Sequence, residues 1–147
     1  MLTYDIFSQA EETSQVYALV SNMHQEGPYR HYPMDMEHMH NMILEFRTRD
    51  KVIFLLRKDN EVIGYLAAAA NPHPFFQFLI AAEYGWYVLP EYRKEASWLL
   101  VDLYEEWAKA IGCKAAVLTN YNTPKLSEAY IDRGYKLYEQ SFIKELI

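Results

Sequence analysis

From Val88 to Leu100 an apolar run, VLPEYRKEASWLL, passes through a Pro-Glu turn into a basic pair and then into a helical apolar pattern. Residues in this order can hold an anion. The first N–H groups of a helix have no acceptor within it, and the helix dipole adds positive character where Arg93 and Lys94 stand. Glu91 and Glu95 oppose an anion, and the same residues also suit a solvated helix start whose charges compensate one another. Turns that cradle phosphates use glycine for close backbone approach, but Ala96, Ser97 and Trp98 occupy this one. Ala96 adds one methyl group. The indole of Trp98 must either turn away from a phosphate or cover it.

Other chemistry-bearing residues are less organised. Glu83 is the sole acid in AAEYGWYVLP. His38 and His40 stand two apart, which on a helix sends them to different faces, whereas a ligand pair needs a spacing of three or four. Met36 and Met39 beside them fall on an apolar stripe and suit core packing. His24, His31 and His73 are scattered, so no metal site is expected. Cys113 opens a buried-looking strand with no partner pattern for a nucleophile, and packing is its expected role. The loop GPYRHYP, Gly27 to Pro33, is aromatic and proline-bounded.

The elements that must carry these residues follow from periodicity. LTYDIF predicts a strand, and Val16, Leu19, Val20 and Met23 predict a helix ended by Glu26 to Pro28. Met36, Met39, Ile43 and Phe46 form a second helical stripe. KVIFLLRK and EVIGYLAAAA, separated by Asp59-Asn60, predict a hairpin. NPHPFFQFL separates the second of these from a third strand, AAEYGWYVLP. Ala96, Leu99, Leu100, Leu103, Trp107, Ala110 and Ile111 keep helical spacing, with Gly112 as terminator. CKAAVLTN predicts a strand, and TPKLSEAYIDRGY a helix with Thr123 as cap, Pro124 at its first position and Gly134 as its stop. YKLYEQSFIKELI reads as a last strand. The unit from Val88 to Thr119 requires a parallel pairing, while the earlier strands form an antiparallel meander. An α/β (α+β) fold is expected, with a mixed, mostly antiparallel sheet of about six strands and helices on both faces.

The chain has 147 residues and is expected to form one domain over 1–147. Its formal charge of -6 argues against broad binding to nucleic acid or acidic membranes and suits a cationic or amine-bearing partner. One cysteine excludes an internal disulfide and fits a reducing compartment. The beginning, MLTYDIFSQAEETS, has acids where a secretory leader would have bases, and no apolar run approaches a membrane span. A cytoplasmic protein is expected.

Two patterns carry a family likeness: Val88-Leu89-Pro90-Glu91-Tyr92-Arg93 at a strand end, and Ala129-Tyr130-Ile131-Asp132-Arg133-Gly134-Tyr135 at a helix end. With the order of elements, they resemble the GNAT superfamily of acyl-CoA-dependent N-acetyltransferases, in particular small glycine-poor members encoded by bacteriophages. The resemblance implies that a cofactor arm adds like a strand beside Trp86, Tyr87 and Val88. It places the pyrophosphate at the first helical turn, Lys94 to Leu99, with Arg93, Ala96, Ser97 and Trp98 around it. The family's loop, Arg/Gln-x-x-Gly-x-Gly/Ala, puts Ala96 and Trp98 where glycines are usual.

By the same resemblance Tyr130 is the general acid and Glu83 the candidate base. Glu83 lies one residue from the position that some relatives use, and a bulge near Gly85 would restore its facing. Thr119 and Asn120 offer hydrogen bonds or a water site instead. Tyr29, Arg30, His31 and Tyr32 border the acceptor site, with Arg30 favouring an acceptor that also carries a carboxylate or phosphate. The implied reaction moves an acetyl group from acetyl-CoA to a primary amine, on a small molecule or a protein, by direct attack in a ternary complex. Two alternatives stay open: a catalytically silent interaction protein on this scaffold, or a phage-type transferase acting on a nucleotide or DNA base. The apolar HPFFQFL packs on the acceptor side or makes a homodimer contact.

Overall fold

Asp59 and Asn60 adopt φ of 50° and 73°, the left-handed pair that a two-residue hairpin turn requires. They join β2 (Lys51–Lys58) to β3 (Glu61–Pro72) in the computed structural model, which describes every residue except Asn122. β1 (Leu2–Ile6) and β4 (Leu79–Val88) flank that hairpin, and β5 (Cys113–Val117) closes the list. The sheet order is β1-β2-β3-β4-β5, antiparallel up to β4 and parallel between β4 and β5.

One face carries α1 (Thr13–Glu26) and α2 (Met36–Leu44). Val16, Leu19, Val20 and Ile43 pack there on Ile53, Leu55, Tyr65 and Tyr87. The other face carries α3 (Glu95–Ala110), whose Leu100, Val101 and Tyr104 meet Val52, Phe54, Leu56, Leu66 and Val88. Alternate residues of β2 and β3 thus feed opposite cores, so the middles of these strands are apolar on both faces. Each fully buried leucine here contributes about 1.5–3 kcal/mol of burial free energy. α4 (Pro124–Asp132) follows β5, and Gly134 ends it at φ 93°. Thr123 takes the N-cap position, but its hydroxyl makes no cap bond. The Asn120 side chain accepts from the Thr123 N–H at 2.9 Å and donates to the Ser127 hydroxyl at 2.6 Å.

Three expectations need correction. The sheet has five strands, because residues 135–147 form no sixth. Leu137, Tyr138, Phe142 and Ile143 there are exposed and pack on neither face of the sheet. Consequently β5 has no outer neighbour, and its Lys114 and Ala115 are exposed rather than buried. Met36 also leaves the expected stripe, being exposed at the start of α2.

Two features of β4 prepare the site. Its pairing with β5 runs only from Leu79 to Ala82, so Glu83 to Val88 have no partner on that side and the sheet splits. Its pairing with β3 skips a residue: Ala67 faces Gly85 and Ala68 faces Glu83, leaving Tyr84 as a bulge. The bulge changes the facing of everything before it. Ala81 thereby shares the α3-side core with Trp86 and Val88, although the plain alternation of a strand would separate them.

Candidate active site at the split of the sheet

Glu83 lies just before that bulge, on the side of the sheet that Trp86 and Val88 occupy. Its carboxylate accepts a hydrogen bond from the Thr119 N–H at 3.1 Å, across the split from β4 to the chain leaving β5. Burial pushes the carboxyl up to about 7, against the Thr119 bond, which pulls it down. Tyr130 on α4 donates its hydroxyl to the carbonyl of the same residue, Thr119, at 2.8 Å. Burial first, and then the charge of Glu83, raises the Tyr130 phenol, which stays protonated. An acid and a base therefore flank one backbone residue. The α4 helix can aim Tyr130 inward because Gly134 terminates it and the Tyr135 N–H returns to the Tyr130 carbonyl at 3.0 Å.

Beside this pair lies a cleft of about 300 Å³ lined by Trp86, Tyr87, Val88, Arg93, Lys94, Ser97, Trp98 and Leu126. The Trp98 indole forms a wall of it. The ring meets Trp86 edge-on at 5.3 Å between centroids and Tyr130 at 6.2 Å. Arg133 covers its other face at 4.8 Å while pairing with Asp102. Ala96 is buried in the α3 core, and Leu99 packs against that core. The Ser97 and Trp98 N–H groups turn back to the Lys94 carbonyl at 3.1 and 3.4 Å. The first-turn donors left without a helical acceptor are those of Glu95 and Ala96. Lys94 precedes them at φ 84°, a backbone setting that side chains rarely adopt and that marks a strained turn at the cleft.

The basic pair divides. Lys94 lines the cleft, whereas Arg93 donates through Nε to the Val88 carbonyl at 2.7 Å and through Nη2 to Glu26 at 3.2 Å. Glu26 escaped the sequence reading, although one signal pointed to it. A carboxylate at a helix C-terminus opposes the dipole and needs a cation from elsewhere.

Of the expected acceptor residues, Tyr29 and His31 line a larger cavity of about 1270 Å³ together with Thr119, Asn120, Tyr121 and Tyr130. Tyr29 meets Tyr121 edge-on at 5.9 Å. Arg30 folds back onto the Gly27 carbonyl at 3.2 Å, and Tyr32 packs on His31. Tyr121 was not foreseen; nothing in its sequence context separates it from other tyrosines. HPFFQFL forms the β3–β4 connection, where Phe75 and Phe76 are exposed around His73. Among the described residues no three His, Cys, Asp or Glu side chains cluster to hold a metal, and no helix is long and apolar enough to cross a membrane.

An antiparallel sheet that opens at one parallel strand beside a basic helix start defines an acyltransferase-like α+β fold. The profile of the acetyltransferase (GNAT) family matches residues 13–134, and the chain belongs to that family. Solved structures share the fold at low identity. A Trypanosoma brucei acetyltransferase superposes with a TM-score of 0.78 at 15% identity, covering 99% of this chain and 100% of the other. A GNAT family acetyltransferase of Staphylococcus aureus gives 0.71 at 21%, covering 99% and 98%. The aminoglycoside N-acetyltransferase AAC(6')-Iy, bound to a CoA-S-monomethyl-acetylneamine bisubstrate analogue, gives 0.77 at 14%, covering 99% and 97%. No curated protein sequence matches the chain.

Proposed function

We propose that this chain transfers an acetyl group from acetyl-CoA to a primary amine by direct attack in a ternary complex. The observation that carries the reading is the convergence of Glu83 and Tyr130 on Thr119, beside a cleft at the split of the sheet. Acetyl-CoA would supply an activated thioester, with CoA as the leaving thiol. The backbone of Glu83 to Val88, free of β5, suits the amides of its pantetheine arm as a strand would. Lys94 and the N–H groups of Glu95 and Ala96 suit its phosphates. The AAC(6')-Iy complex, a relative in fold only, supports a CoA ligand and an amine acceptor.

In this reading Glu83, titrating near 7, takes a proton from the attacking amine as the new N–C bond forms. Tyr130 gives up the Thr119 carbonyl and delivers its proton to the sulfur as the C–S bond breaks. Tyr29, His31 and Tyr121 border the amine, whose ammonium form is attracted to aromatic faces. The acceptor is a small molecule or a protein side chain, in a cytoplasmic setting suited to the single cysteine. A catalytically silent scaffold is the second reading, favoured by the Trp98 indole packed where the family places glycine.

Calorimetry with acetyl-CoA, followed by thiol release with a panel of amines, tests both. Binding and thiol release establish the enzyme, and binding without turnover on any amine favours the silent scaffold. No binding at high micromolar concentration would sink the acyltransferase.

A further inference from the structure

Glu26 is held at the end of its helix by groups that belong to the cleft. It is the last residue of α1, where the dipole disfavours a carboxylate. One oxygen accepts from Arg93 at 3.2 Å and the other from the Tyr87 hydroxyl. Arg93 also lies over the Tyr87 ring, 5.1 Å from its centroid, and donates to the Val88 carbonyl. Arg93, Tyr87 and Val88 all line the cleft of about 300 Å³. On the other side, Glu26 is followed directly by Gly27 and the loop whose Pro28, Tyr29 and His31 line the larger cavity. One ion pair, 67 residues apart in the chain, thus ties the two ligand spaces together.

We propose that Glu26 is a positioning residue that couples them: it holds Arg93 and the loop Gly27 to Pro33 in place until an anion in the cleft takes Arg93 over. The anion's identity as the CoA pyrophosphate rests on the acyltransferase reading. Arg93 and Glu26 are about half exposed, so their pair is weak and exchangeable. A pyrophosphate carries more charge than one carboxylate and accepts the planar guanidinium fork in the same way. Once Arg93 leaves, Glu26 faces the helix dipole with no cation and only the Tyr87 hydroxyl to offset it. The last turn of α1, closed by the Gly27 N–H to His24 carbonyl bond at 3.2 Å, then loosens. The loop bearing Tyr29 and His31 then loses one of its restraints, keeping those from His24 to the Tyr32 carbonyl at 2.7 Å and from His31 to Glu145 at 3.0 Å.

Calorimetry with CoA on the full chain and on Glu26→Gln, joined to amide hydrogen exchange over residues 24–33, tests this. Gln keeps the shape and drops the charge. CoA should bind Glu26→Gln roughly 2- to 5-fold more tightly, the size of an exposed ion pair. In the native chain CoA should accelerate exchange over 24–33; in Glu26→Gln, which leaves no charge for the dipole to oppose, exchange should stay slow and indifferent to CoA. Equal or weaker CoA binding by the variant, or unchanged exchange when CoA binds the native chain, overturns the coupling and leaves the acyltransferase standing. If neither protein binds CoA, the acyltransferase falls, and inorganic pyrophosphate decides the coupling alone. Accelerated exchange with pyrophosphate supports it, and no response overturns it.

Discussion

The half of the molecule built on β1 to β3 and the half built on β4, β5 and α4 solve different problems. In the first, Leu55, Leu56 and Leu66 are fully buried, and the hairpin turn sets the register of both core faces. In the second, β4 carries a bulge, pairs with β5 for only part of its length, and leaves β5 without an outer neighbour. The closed half supplies the fully buried strand leucines, joined in the cores by Ala81, Tyr87 and Val88 of β4. The open half supplies the gap, and all the candidate chemistry sits around that gap. The candidate chemistry is concentrated where β4 leaves the regular sheet, although the same strand still packs into both cores.

The sharpest way to break this division is at Glu83. Glu83→Gln should lower turnover about 100- to 10,000-fold, the usual contribution of a general base. In the native chain, kcat/KM should rise with pH through about 7 as Glu83 deprotonates, and the variant's profile should lose that inflection. Stability should move the other way. The folded carboxyl titrates above its ordinary 4.5, so the folded state holds the extra proton between about 4.5 and 7. Native stability therefore falls as pH rises through that window, and the loss should vanish in Glu83→Gln when unfolding is followed against pH. Destabilisation by Glu83→Gln at pH 8 would contradict the division.

Leu55→Ala probes the closed half and should cost about 2–5 kcal/mol in denaturant unfolding while leaving the turnover of folded protein nearly intact. Tyr104→Phe comes next. The fully buried Tyr104 hydroxyl donates to the Val117 carbonyl at 2.8 Å and accepts from its N–H at 3.1 Å, completing β5 from the helix. Its loss should cost about 1–3 kcal/mol, and hydrogen exchange should locate the damage in β5. Leu137→Ala, in the uncovered C-terminal segment, should change stability by no more than about 0.5 kcal/mol. A larger loss would mean that residues 135–147 pack more closely than their exposure indicates.

What could be read in advance follows the same boundary. Helix stripes, the Asp59-Asn60 turn and the Gly134 stop are signals carried by neighbouring residues, and each appears where its residues stand. The late strand was expected from the apolar content of YKLYEQSFIKELI, which says nothing of whether the segment pairs with a sheet edge. Around the gap, residue types were legible but relations were not. Glu83, Trp98 and Arg93 could be named, yet the bulge at Tyr84 that aims Glu83 depends on the pairing of Ala67 and Ala68 across the sheet. Glu26 meets Arg93 only because α1 ends above the tip of β4, a contact between distant segments that no local pattern records.

The double anchorage at Thr119 has a further consequence. Glu83 and Tyr130 arrive from a strand and a helix that share no direct bond, but both take their reference from one residue's N–H and C=O. In a machine this would be a common datum. A shift of Thr119 disturbs both hydrogen bonds at once, so the loop after β5 is a place from which Glu83 and Tyr130 can be misaligned together.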